Sequence, residues 1–443
     1  MNPSIIGLVD INNFYVSAER IFQPKLRQKI VVVLSNNDGC VVARSNEAKA
    51  AGIKMGMPVF ELDQLIKETK IEVIRLSSNY VVYGELSRRF HTIMDLMVSP
   101  ECTEQYSIDE NFFNLTTHQN KDLIALANDI KQRIKLYLDL PVCVGIGRTK
   151  TQAKIANHIA KKVSVFEGVC SILELEKQGV FNAFLNTIKV EDVWGVGRQY
   201  TKRLNAIGIE SALDLKNANP EKIGKLFNVV LKKTVLELNG ISCFEMENEP
   251  EPRQQIVSSK SFGQRINVLE DLREAITRFT LDAQIRLRSD ELVCGLISVF
   301  AYSSPFDKSK PFYKKSLSIG FPQPTDNPLL LVKASTKLID KIYVKDVDFK
   351  KCGLILSCLE PKNQFNYDLF ANPDFDEKLE KLTQIIEDIQ GKHGRKKIGF
   401  GGSMFENRAW TMKQSFKTPN YFDIRTGWVL NEDLSYIFNS RRK

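Results

Sequence analysis

Twice along this chain the spacing of apolar residues reads strand, helix, two strands, helix, strand. Residues 4–10 (SIIGLVD) form a short apolar run ending in a carboxylate, which reads as a buried strand. Residues 30–34 repeat that pattern and lead into the turn cluster Ser35, Asn36, Asn37, Asp38 and Gly39. Helical spacing follows over 45–51 and again over 80–97. The stretch 104–115 (EQYSIDENFFNL) predicts two short strands around an acidic turn. A helix over 121–138, a strand over 142–146 and a helix over 149–160 complete the set. With residues between about 25 and 77 set aside as an insert, this is the order of a ferredoxin-like split βαβ sheet backed by helices. The same order recurs over 256–268, 272–287, 292–302, 313–320, 329–344 and 349–359, with no detectable sequence repeat between the halves. Between them, 166–240 is mostly helical and carries Trp194-Gly195-Val196-Gly197 ahead of a helix from about 198 to 206. The acidic, proline-containing run 245–252 (EMENEPEP) suits neither a helix nor a central strand and reads as a linker. The fold class expected is α+β, in several domains.

Length agrees, since 443 residues at roughly 150 per domain give about three. A hydrophobic share of 43% with 26% charged residues excludes wholesale disorder. No apolar run approaches the ~18 residues of a membrane helix, and the first ten residues lack the basic region and cleavage site of a secretory signal. Eight cysteines without a CxxC and only four histidines argue against a zinc site or a disulfide framework, and fit a reducing cytoplasm. Lys and Arg exceed Asp and Glu by 62 to 53, a moderate excess compatible with a polyanionic partner. The charge separates near the end: six acids against two lysines over 371–390, then eleven bases against four acids over 391–443. Such a tail is a candidate nucleic-acid or acidic-partner surface, although charged extensions are usually just solvated.

Three acids stand out by context. Asp10 ends the first strand, and Asp109-Glu110 occupy the tight turn between two others. First and middle strands are neighbours in a split βαβ sheet, so the three carboxylates can converge on one sheet edge. They would repel one another strongly unless cations joined them. Hard oxygen donors favour Mg²⁺, and two such ions about 3.5–4 Å apart serve phosphoryl transfer. Taken singly, each acid more often just caps its turn. Asn13, Phe14 and Tyr15 follow Asp10, while Asn46, Lys49, Ser107 and Lys161 are polar or cationic groups of the kind that bind a triphosphate.

At this point the motifs take on a family likeness. DINNFY over 10–15, SNNDGCVVARSNEAKAAGIKMGMP over 35–58, YSIDE over 106–110, VGIGRTKTQAKIANHIAK over 144–161 and DVWGVG over 192–197 resemble the Y-family DNA polymerases. The likeness spans essentially the whole chain and is dense to about residue 360. It implies a right-hand polymerase: ferredoxin-like palm (1–24 and 78–165), small fingers (25–77), helical thumb with a helix-hairpin-helix (166–240), linker (241–255), β-α-β-β-α-β little finger (256–360) and a C-terminal extension (361–443). It implies two Mg²⁺ ions on Asp10, Asp109, Glu110 and the Ile11 carbonyl. Asn13 and Phe14 would offer backbone amides to the triphosphate, with Asn46, Lys49, Ser107 and Lys161 at further contact positions. Tyr15 falls at the steric-gate position, where a ring under the sugar leaves no room for a 2′-hydroxyl. Asn46 stands where many members carry an aromatic residue, and Lys49 where Arg is common; the two cations are not interchangeable.

For the nucleic acid, Gly195, Val196 and Gly197 resemble the hairpin of a helix-hairpin-helix, which grips phosphate without reading sequence. Arg265, Arg286 and Arg288, with Lys314 and Lys315, lie in the little-finger-like unit. The similar-looking GIGRTK over 145–150 lacks P-loop spacing and reads as a strand-to-helix turn. Gln364, Tyr367, Leu369 and Phe370 resemble a sliding-clamp-binding peptide, with Tyr367 where an aliphatic residue is usual. SNNDGC, DVWGVG and the long extension point to the branch that supplies the catalytic subunit of bacterial DNA polymerase V. That branch implies a dimer of processed UmuD and a RecA nucleoprotein filament as partners, beside primer-template DNA and dNTP, with no membrane. The expectation is therefore an error-prone translesion DNA polymerase of the SOS response, cytoplasmic and nucleoid-associated when active. The rivals are a nucleotidyl cyclase, which needs neither hairpin nor second unit, and a non-enzymatic DNA-binding or checkpoint subunit at stalled forks, against which the intact Asp10, Asp109, Glu110 and Tyr15 argue.

Overall fold

The computed structural model of the chain describes residues 4–118, 122–247, 252–307, 309–363 and 410–422, with short pieces between 378 and 392. The chain divides into two compact units, one of residues 1–35, 39–250 and 416–443, the other of 36–38 and 251–415.

The first unit is built on a five-stranded sheet. Its strands are β1 (Ile6–Ile11), β5 (Thr103–Gln105), β6 (Glu110–Asn114), β7 (Val142–Gly147) and β8 (Val169–Ser171), in the order β5-β6-β1-β7-β8. Three further strands, β2 (Val31–Leu34), β3 (Val41–Arg44) and β4 (Ile74–Ser77), form a separate small sheet of order β3-β2-β4. β1 runs antiparallel to both β6 and β7, so the first and middle strands are neighbours, as the order of elements predicts. β8, absent from the sequence-based reading, adds a parallel edge to β7. β1 is buried on both faces, with Leu8, Val9 and Ile11 almost wholly shielded, which is why its residues form a continuous apolar run rather than an alternating one.

The 145–150 turn is the strand-to-helix turn expected. β7 ends at Gly147 and Thr149 caps the helix Lys150–Lys162, its hydroxyl accepting from the Gln152 amide at 3.1 Å. Gly145 lets that helix lie directly on the sheet: a Cβ there would stand 2.2 Å from the Asn157 backbone nitrogen. The other face of the helix shares a core with the short helices that follow, through Ile155, Ile159, Leu185, Leu204 and Leu231.

The second unit holds β9 (Gln255–Ile266), β10 (Leu292–Ser303), β11 (Lys314–Thr325) and β12 (Phe349–Pro361), with the helices Leu269–Ser289 and Pro328–Ile342. All its strand pairs are antiparallel, in the order β11-β10-β12-β9. The order of elements along the chain matches the first unit, but the sheet differs. Here the last strand, β12, sits beside the first strand of the hairpin, whereas in the first unit β1 sits beside the second.

Residues 410–422, part of the basic stretch that is a candidate nucleic-acid or acidic-partner surface, place several side chains in the folded units. Within the second unit Trp410 is buried, its Nε1 donating to Glu274 Oε2 at 3.1 Å with its ring edge-on to Phe279. Within the first, Phe416 pairs with Ser77 of β4, and Tyr421 is buried against Phe22. Tyrosine and tryptophan side chains outweigh the surrounding charge in burial energy, which a count of charges does not register.

Candidate active site

Asp10, one residue from the end of β1, lies directly across from Glu110, the first residue of β6. Asp109 precedes it on the β5–β6 turn. The Ser107 hydroxyl fixes that turn, donating to Asp109 Oδ1 at 2.8 Å and accepting from the backbone amides of Asp109 (3.3 Å) and Glu110 (3.1 Å). The Ile11 amide donates to the Asp109 carbonyl at 2.9 Å, tying the end of β1 to the same turn. The three acids named from the sequence therefore share one edge of the sheet.

Two lysines from one helix face meet them. Lys161 Nζ stands 2.6 Å from Asp10 Oδ2, and Lys154 Nζ 2.7 Å from Glu110 Oε1. Seven residues apart, they lie two turns along the same side of Lys150–Lys162. The Lys154 ammonium also sits over the rings of Tyr106 (4.5 Å), Trp194 (5.5 Å) and Phe112 (5.6 Å). Sequence reasoning missed Lys154, although its helical spacing from Lys161 was a usable signal. Burial pushes the Asp10 carboxyl up to about 6; the Lys161 ammonium pulls it back, while the charges of Glu110 and Asp109 push with the burial. Burial likewise raises Asp109.

Among the described residues no group of three potential ligands stands close enough to hold a metal as placed. The donor chemistry nonetheless fits Mg²⁺: two carboxylates face each other across paired strands, a third adjoins them, all donors are oxygen, and cationic side chains already offset the charge.

On the flank, Asn13 adopts the left-handed conformation (φ 50°, ψ 45°) and opens the helix Phe14–Phe22. Its side-chain amide donates to Asn46 Oδ1 at 3.0 Å, and Lys49 Nζ approaches the same oxygen at 3.4 Å. Burial lowers the Lys49 ammonium, and the charges of Arg44 and Lys161 lower it further. Asn13, Asn46 and Lys49 are thus brought together beside the carboxylates. Tyr15 is half-buried, its ring stacked on Tyr83 at 4.5 Å and 12° and edge-on to Tyr80 at 5.8 Å. Tyr83 had no signal in the sequence, because only the packing of its helix against Phe14–Phe22 places it there.

Gly195 has φ +85° and Gly197 caps the helix Arg198–Asn205, while Val196 between them is buried. Trp194 donates to the Tyr106 hydroxyl at 3.0 Å. In the second unit Arg265 pairs with Asp307, Arg286 donates to the Val257 carbonyl at 3.0 Å, and Arg288 pairs with the buried Asp326 at 2.9 Å. Lys315 donates to the Lys341 carbonyl at 2.8 Å, and Lys314 is exposed. Gln364, Tyr367, Leu369 and Phe370 lie outside the described residues.

Residues 9–158 match the model of the impB/mucB/samB family, residues 253–369 its C-terminal domain, and residues 380–422 a domain of unknown function, DUF4113. The protein SamB of Salmonella typhimurium is 39% identical over 420 residues, and UmuC of Salmonella typhimurium strain LT2 38% over 419. Each alignment covers 94% of this chain and 97% of the relative. Among solved structures, a Y-family DNA polymerase chimera of Dbh and Dpo4 superposes with a TM-score of 0.61 at 22% identity, over 80% of this chain and 98% of that one, a likeness of fold. With both family regions matched in order and more than a third of residues shared along nearly the full length of UmuC, the chain belongs to the impB/mucB/samB family, the UmuC-type branch of the Y-family DNA polymerases.

Proposed function

We propose that this chain is an error-prone translesion DNA polymerase that adds dNTPs to a primer 3′-hydroxyl under the direction of a damaged template. The observation that carries the reading is Asp10 facing Glu110 across paired strands, with Asp109 on the adjoining turn. In the reaction the primer oxygen bonds to the α-phosphorus, the bond to the β-phosphate oxygen breaks, and pyrophosphate leaves. Two Mg²⁺ ions held by Asp10, Asp109, Glu110 and the Ile11 carbonyl would acidify the primer hydroxyl and offset the charge on the departing group.

The protein's own groups prepare that step. Ser107 holds Asp109 in orientation, so its carboxylate stays on the turn. Lys161 keeps a positive charge beside Asp10, and Lys49 adds one nearby, where a triphosphate would be read. The Asn13 and Phe14 amides at the start of their helix suit phosphate oxygens. Tyr15, backed by Tyr83, would exclude a 2′-hydroxyl. The palm, fingers, thumb, linker, little finger and extension take the boundaries given above, with Gly195–Gly197 approaching the duplex backbone. A dimer of processed UmuD, a RecA filament and the sliding clamp are the partners, and the cytoplasm, at the nucleoid, the site of action. Free side chains at all eight cysteines suit that compartment.

The test is primer extension on an abasic-site template with Mg²⁺ and dNTPs, run on the chain alone and with processed UmuD and RecA filament. Asp109→Asn with Glu110→Gln should abolish extension in both while leaving primer-template binding nearly intact. A double variant that still extends primers would overturn the assignment of the metal ligands. Tight primer-template binding by the unaltered chain, with no extension in either mixture, would favour a non-enzymatic subunit at stalled forks instead.

A further inference from the structure

The segment 416–422 lies within the region that matches the domain of unknown function, and it packs against the residues that support Tyr15. Tyr83, on whose face the Tyr15 ring lies, is wholly buried, and its hydroxyl donates to Glu19 Oε1 at 2.8 Å. Glu19 is wholly buried too, on the helix that carries Tyr15. Thr418 supplies a second donor to the same oxygen, its hydroxyl standing 3.1 Å away. Thr418 is itself fixed: Asn79 Nδ2 lies within 3.1 Å of its carbonyl and hydroxyl oxygens and of the Pro419 carbonyl. Asn79 immediately precedes the helix Tyr80–Val98, which carries Tyr83. On either side the segment is pinned by Phe416 on Ser77, through two hydrogen bonds of 3.0 Å, and by Tyr421 stacked on Phe22 at 4.3 Å.

We infer that this segment is a strut that positions the steric gate. Thr418 acts through Glu19 and Tyr83 on the platform under Tyr15, and so sets how far the gate can retreat from a ribose. The physical case rests on Glu19. A buried carboxylate needs its donors; with the Thr418 hydroxyl gone, Glu19 retains the Tyr83 hydroxyl and the Gln23 side chain but loses the donor that ties it to the 416–422 segment. Tyr83 and the stacked Tyr15 are then free to shift together. Thr418 is a positioning residue, remote from the nucleotide, and the inference rests on the reading of Tyr15 as the gate.

The experiment measures kcat/KM for a dNTP and for the matching rNTP, using the full-length chain in the partner mixture in which it extends primers. Thr418→Val should lower the dNTP-to-rNTP ratio by a factor of roughly five, the worth of one buried hydrogen bond, and leave correct dNTP insertion within about twofold. Thr418→Ser should restore the ratio. A chain ending at Ser415 should lower it further. The ratio is the decisive readout because a loss of folded enzyme reduces both rates alike and leaves it unmoved. Tyr15→Ala separates the two readings. If it collapses the ratio while Thr418→Val and the shortened chain leave it unchanged, the strut fails and the gate stands. If Tyr15→Ala itself leaves the ratio unchanged, the gate reading fails and the strut with it.

Discussion

Asp10 is held by opposing charges, with Lys161 at 2.6 Å on one side and Glu110 and Asp109 on the other. Its carboxyl at about 6, against an ordinary 3.8, means the folded metal-free chain keeps this proton longer than the unfolded chain does. Asp10 therefore stabilises the metal-free fold below about pH 4, and that contribution is lost as pH rises to about 6. The two units or so of shift correspond to at most roughly 3 kcal/mol. Asp10→Asn removes this dependence. The melting temperature of the variant relative to the native chain, both metal-free, should rise between about pH 4 and pH 6; a flat difference would place Asp10 outside this electrostatic cluster. Mg²⁺ competes with the same proton, so it should raise the melting temperature of the native chain at about pH 7.5 and not at about pH 5.

At the scale of elements, the helix Lys150–Lys162 carries both lysines of the site, and its distance from β7 is set by Gly145. A methyl group at 145 would meet backbone of the helix, not a side chain that can rotate away. Gly145→Ala should therefore cost at the upper end of the ~1–3 kcal/mol of overpacking, read from urea denaturation, and should reduce synthesis as Lys154 and Lys161 shift. Gly197 gives the contrasting case. Nothing stands within 4 Å of a Cβ there, and its φ of −87° suits any residue. Gly197→Ala should leave stability within about 0.5 kcal/mol yet weaken primer-template binding, measured by fluorescence anisotropy, because only an approaching phosphate backbone would meet the added methyl. Unchanged binding would remove the hairpin from the DNA interface.

At the scale of the molecule, residues 410–422 contribute buried side chains to the folded units, Trp410 to the second and Tyr421 to the first. Trp410→Ala in the second unit should cost roughly 3–5 kcal/mol, since it empties a large buried volume and strips Glu274 of a donor. Two-unit unfolding followed by tryptophan-independent circular dichroism would show the loss confined to one transition.

The linear sequence determined most strands and helices of the two repeated orders, because the periodicity of apolar residues reports which face each segment must bury, but not the short strands β3, β4 and β8. It likewise placed Asp10 and the Asp109–Glu110 pair at strand ends, where adjacent strands bring them together. Family motifs singled out Tyr15 as the candidate gate and Asn13, Phe14, Asn46, Lys49, Ser107 and Lys161 as candidate triphosphate contacts. Neither source could supply the strand order of the second sheet, since the same succession of strands and helices closes in two ways according to which strands pair. Nor could they reach Tyr83, Glu19 and Thr418, or Trp410 on Phe279, which are far apart in the chain and have no shared period. Those contacts exist only once the units have folded, and shape and buried hydrogen bonding, not local propensity, select them.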